Sequence, residues 1–200
     1  MYIEITKEKI KDARRYMDIG TKALLADEIA EWVVQPVEVD KDEYIPIPPL
    51  YKENRALKNM LMMGALCRYY LKVDFEYQAI NLLENGKKVG EQPIDFYPTI
   101  VSYDNMAESN IVNQLERLKK ADREISNIIF DMMYDYKCLE QMVNSEIKDR
   151  VSIKNDLITR VVKTMELQVS KENIENLTKS IKEIEKELDA REAKVVNNDG

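Results

Sequence analysis

Histidine is absent from all 200 residues, and that absence excludes more than any motif that is present. It removes the commonest general base near neutral pH, the commonest transition-metal ligand and the usual base of a nucleophilic triad. Cysteine is almost as scarce. Cys67 and Cys138 lie in apolar helical contexts without C-x-x-C spacing, so they read as buried thiols rather than zinc or redox ligands.

Glycine and proline are few and unevenly placed. Every proline lies at or before Pro98, and between Gly90 and Gly200 there is no glycine. Residues 99–199 therefore lack the usual backbone breakers and are rich in helix formers, which predicts an all-helical C-terminal half. Long apolar runs are missing too: the densest, Met60 to Leu66, is interrupted by Gly64 and falls far short of the roughly 20 residues of a membrane span. The first residues, MYIEITKEKIKDARRY, lack the apolar core of a secretory signal, so the expected location is the cytoplasm.

What the chain does contain is charge and periodic apolar residues. Charged residues make up 34% and hydrophobic residues 44%, the balance of a folded, water-soluble protein. The formal net charge of -7 opposes nucleic acid and anionic membrane at range, leaving only local patches within a Debye length of about 8 Å. One such patch is Lys7 to Lys22, with six basic residues, but Glu8, Asp12 and Asp18 interleave with them, as on a solvated helix face. The usage of Lys, Asn, Ile and Glu resembles that of AT-rich bacterial or phage genomes.

The expected fold class is all-α, a helical bundle whose C-terminal half is a long antiparallel helical hairpin or coiled coil. Irregular proline-containing segments are expected at 35–50 and 84–100. Residues 1–100 read as a mixed helical region with a proline-rich arm, and 101–200 as the long-helix region. An N-terminal helix from a cap at Thr6 should bury Ile10, Ala13, Met17, Leu24, Ile29 and Val33, with Gly20 a possible split. A second, from about Glu53 to Leu71, carries an apolar face broad enough for the centre of the core. Residues 73–100 contain Asn85-Gly86 and read as a short helix or a strand pair near Tyr77 to Leu83, followed by loop.

From 104 to 148 the apolar residues step by four and three: Ile111, Leu115, Leu118, then Ile125, Ile129, Met132, Tyr136, Leu139 and Val143. Unbroken, that stretch would be a rod of about 68 Å, against roughly 40 Å for a compact sphere of this size. Asp122 alone interrupts the seam, so either the helix breaks near Lys119 to Arg123 or the molecule is elongated. A polar junction at 148–152 separates a further helix, with Leu157, Ile158, Val161, Val162, Met165 and Val169 inward.

The last helix carries a strict stripe of Ile174, Leu177, Ile181, Ile184 and Leu188. Burying those five is worth about 7 to 15 kcal/mol before entropy. The stripe must meet the 104–148 seam, a second copy of the chain or a foreign protein.

Candidate chemistry is thin. Glu28 with Glu31, and Glu146 with Asp149, form acidic i,i+3 pairs that could hold a divalent ion between helices. All-α nucleotide pyrophosphohydrolases use a resembling E-x-x-E and E-x-x-D arrangement, but on neighbouring helices, whereas these pairs are more than a hundred residues apart. Chance alone supplies roughly seven acidic i,i+3 pairs in a chain with 37 acids. In FDMMYDYK, Met132 and Tyr136 should point inward and Asp131 and Asp135 into solvent. The segment NGKKVGE lacks the ending of a phosphate-binding loop.

The sequence thus expects no cofactor and no catalytic residue. It points to a non-catalytic helical protein that packs on itself or on another protein, as an assembly component, adaptor or inhibitor does. The alternative is a carboxylate-dependent metal enzyme acting on nucleotides or phosphate esters.

Overall fold

A computed structural model describes residues 2–37, 49–84 and 87–196, with side chains left out for 82–89, 166, 168–174, 177–178 and 180–196. About 69% of the chain is helical and 15% is strand, so the protein is mainly α, with two small sheets that the all-α expectation did not contain. The chain forms two compact units, one of Met1–Val37 with Tyr51–Ile153, the other of Glu38–Leu50 with Lys154–Gly200.

Helix boundaries in the first unit follow the side chains that cap them. Thr6 accepts from the Lys9 amide and starts α1 (Lys7–Lys11). The chain then leaves the helix and restarts at Asp18, whose carboxylate accepts from the Thr21 amide at 2.8 Å and opens α2 (Ile19–Val33). The split therefore falls before Gly20, which sits inside α2. Restarting the helix also shifts its register. Leu25 rather than Leu24 is buried, and Leu24 is left exposed.

Strand β1 (Val34–Val37) pairs with β2 (Leu50–Glu53), and residues 38–48 of the expected proline-rich arm lie outside the described residues. Asn54 caps α3 (Arg55–Ala65), which runs on into a π-helical turn, Leu66–Tyr70. Leu61, Ala65, Leu66, Cys67 and Tyr70 are fully or almost fully buried, so this helix is the core element its broad apolar face foretold.

Strands β3 (Tyr77–Glu84) and β4 (Lys87–Pro98) pair antiparallel, Ile80 opposite Gln92 and Tyr77 opposite Pro98. The loop expected over 84–100 is therefore mostly strand, while Asn85 and Gly86 themselves lie outside the described residues. In a two-stranded sheet each strand has an unpaired edge, so prolines need not break the ladder. Residues Ile94, Phe96 and Pro98 turn to the core while their neighbours turn out, and Phe96 packs over α3 at Gly64.

Thr99 caps α4 (Ile100–Glu108), and a left-handed Asn110, φ 50°, leads into α5 (Ile111–Ala121). Asp122 then breaks the seam as its position suggested. Its carboxylate accepts from the Glu124 and Ile125 amides at 3.0 and 3.3 Å and caps α6 (Arg123–Val196). The seam residues Ile125, Ile129, Met132, Leu139 and Val143 are at most 1% exposed.

No turn occurs at 148–152, which lie inside α6, so the helix boundary expected there is not formed. Lys148, Asp149 and Arg150 are polar yet good enough helix formers, and without glycine or proline nothing stops the backbone. Leu157, Val161 and Met165, expected inward, are exposed.

Candidate functional site

Two polar constellations stand out in the first unit. The deeper one is buried. Asp135 of α6 accepts from the Lys22 ammonium at 2.6 Å through Oδ1, and from the Met17 amide and the Tyr70 hydroxyl, both at 2.9 Å, through Oδ2. Asp135 was expected in solvent but is 6% exposed, and Lys22 is 8% exposed. Burial alone would push the Asp135 carboxyl up. Hydrogen bonds from Lys22, Met17 and Tyr70, with the Lys22 charge, outweigh it and hold the carboxyl below its ordinary value. Asp131, also expected in solvent, is half-buried and lies 3.9 Å from Arg15.

Every polar group of this network has its partner, and Tyr136 beside it donates to the Met62 carbonyl at 3.0 Å. The cluster ties the N-terminal segment, α2 and the π-helical turn to α6 through one carboxylate. The signal for it was present in the sequence as spacing. Lys22 continues the buried row of Leu25, Ile29 and Val33 on α2, and Asp135 stands seven residues from both Ile128 and Met142 on α6.

The second constellation is open. A groove of about 710 Å³ lies between α2, the π-helical turn and the β3–β4 hairpin, lined by Glu28, Glu31, Trp32, Tyr69, Ile80 and residues 92–96. Helix α2 brings Glu28, Glu31 and Trp32 to one side by its 3.6-residue turn. Strand β4 brings Gln92, Ile94, Asp95 and Phe96 to the other. Asp95 accepts from the Tyr69 hydroxyl at 2.6 Å, and the Arg68 guanidinium stands 3.7 Å away, its other end on Asp74 at 2.8 Å. Trp32 is set edge-on to Tyr97, ring centres 5.7 Å apart.

The charged residues that line the groove are all acidic, with Arg68 bordering it at Asp95. The Glu28 carboxyl is pushed above its ordinary value, first by burial and then by the charges of Asp95, Asp27 and Glu31. Tyr69 is likewise raised, by burial and then by its bond to Asp95. The groove is thus a concave, partly aromatic surface that favours positive charge.

The acidic pairs singled out in sequence fare differently. Glu28 and Glu31 both line the groove, whereas Glu146 and Asp149 are not among its lining residues. Among the described residues no three acidic or thiol side chains gather closely enough to hold a metal ion. The side chains of Ile174, Ile181, Ile184, Leu188 and Leu177 lie outside the described residues, and their backbone belongs to α6.

Three of the six basic residues of 7–22 face carboxylates: Lys7 on Asp122 at 3.2 Å, Arg15 on Asp131 and Lys22 on Asp135. Among the described residues no helix is long and apolar enough to cross a membrane. No family model, characterised protein or solved structure matches the chain.

Proposed function

We propose that this protein is a non-catalytic helical interaction protein, an assembly component, adaptor or inhibitor, that acts by presenting one face of α6 to a second copy or to another protein. The observation that carries this reading is a row of exposed apolar side chains. Leu157, Val161 and Met165, at successive steps of four, are 56%, 45% and 51% exposed. Single exposed apolar residues are ordinary, but a row on one helix face marks a contact surface.

Half-buried Ile158 and Val162 widen the same face. The sequence stripe at 174, 177, 181, 184 and 188 adds a second apolar repeat on the same helix. The chain has no histidine, and the buried Lys22–Asp135 cluster is satisfied by its own neighbours.

The test compares the full chain with Val161→Asp/Met165→Asp. Both are run pure and in lysate of the native host, with particle mass measured by native mass spectrometry or light scattering. The wild type is expected above the chain mass of 23.4 kDa in at least one setting, and the variant at that mass in both, with its melting temperature unchanged. Identical masses for wild type and variant in both settings would overturn the reading.

A further inference from the structure

The groove between α2 and β4 carries a second inference, independent of α6. Glu28 and Glu31 stand one helical turn apart on its α2 wall, with Asp95 on the opposite β4 wall. Asp95 is already met by Tyr69 and by one edge of Arg68. Neither Glu28 nor Glu31 has a cationic partner among the described residues. Since no three acids there converge on a point, the charge is too spread for a single metal ion. It matches positive charges that are themselves spread, on long side chains.

The rest of the lining sets a further condition. Trp32 and Ile80, both half-buried, offer aromatic and apolar surface beside the carboxylates. Lysine and arginine stems lie well on such surface, and their charged heads gain from an aromatic face. A volume of about 710 Å³ falls within the roughly 300–1,000 Å³ of ligand clefts. We propose that it docks a basic, partly apolar peptide segment of a partner protein, with lysine or arginine side chains on Glu28 and Glu31 and an apolar residue on Trp32 and Ile80.

The chain carries its own probe, because Trp32 is its single tryptophan. The full-length protein is titrated with the amidated pentapeptide Arg-Leu-Arg-Leu-Arg at about 50 mM salt, following Trp32 emission. A saturable change is expected. Affinity should fall about tenfold in Glu28→Gln/Glu31→Gln, and less than about twofold in Glu108→Gln/Glu116→Gln, which removes the same charge elsewhere.

The melting temperature of each variant confirms that it is folded. Equal losses in the two variants would overturn the proposal by showing attraction to the overall negative charge alone. So would binding that leaves Trp32 unmoved, spermine binding as tightly as the peptide, or no binding at all. The α6 variant should bind the peptide like the wild type, so this proposal and the α6 reading fail separately.

Discussion

Lys22 and Asp135, 113 positions apart in sequence, meet with Nζ 2.6 Å from Oδ1 and with both side chains about nine-tenths buried. The pair joins α2 to α6, while the Met17 amide and the Tyr70 hydroxyl tie the N-terminal segment and the π-helical turn to the same carboxylate. Removing the acceptor strands three donors at once, one of them charged. Asp135→Ala is expected to cost about 3–5 kcal/mol, the range for breaking a buried ion pair. Lys22→Met should cost less, because Asp135 keeps two hydrogen bonds. Denaturant unfolding checks the order, and a larger loss in the lysine variant would show that the ion pair outweighs the hub.

The same carboxylate fixes the sign of one pH dependence. Its folded value is held below the ordinary 3.8, so its contribution to stability is present above that pH and is lost as pH falls through the folded value. Thermal melting of the wild type should therefore drop steeply below about pH 4. In Asp135→Asn that part of the acid limb should be flattened. Parallel limbs in the two proteins would show that other carboxylates govern acid unfolding.

Much of this architecture was legible where local chemistry decides the backbone. Thr6 and Asp122 act as caps at positions where the apolar period begins or breaks. The strand β4 was hidden because Gly90, Pro93 and Pro98 read as breakers, which they are not in a two-stranded hairpin with Pro93 opposite Ala79. The junction expected at 148–152 does not form: its charges suggest a loop, but it holds no glycine or proline to stop the helix.

Of the groove, only Glu28 and Glu31 could be named in advance. Asp95 joins them through the packing of β4 against α3, which no spacing in the sequence encodes. Asp135 was placed in solvent because aspartates usually are. Its buried lysine partner lies too far along the chain to be paired by inspection.

Gly64 shows how tightly β4 is held. A Cβ there would stand 2.1 Å from the Phe96 carbonyl oxygen and 2.8 Å from Pro98 Cδ, so backbone has to move. Gly64→Ala should destabilise the protein by about 3 kcal/mol despite the better helix propensity of alanine. It should also perturb Trp32 emission, since Phe96 lines the same groove. Thermal unfolding with fluorescence detection reads both, and an unchanged melting temperature would refute the close approach.

The two cysteines should separate by reactivity. Burial pushes the Cys67 thiol up to about 12, and the side chain is fully buried, so it presents no thiolate near pH 8. Cys138 is half-buried. Ellman's reagent on the native protein should label at most Cys138, with Cys67 following only on unfolding. Prompt labelling of both would show that the core around α3 opens locally.

Glu28 offers the opposite linkage to Asp135. Burial and the charges of Asp95, Asp27 and Glu31 raise its carboxyl above the ordinary 4.5, so the ionised form is the disfavoured one. Its contribution to stability is complete below pH 4.5 and is lost as pH rises through the folded value. Glu28→Gln should therefore be slightly more stable than the wild type at pH 7, by at most about 0.5 kcal/mol for so exposed a side chain. The two should converge near pH 4. Paired melting curves across that range decide it. A gain that persists at low pH would mean the glutamine stabilises by packing or hydrogen bonding rather than by relieving the groove's negative charge.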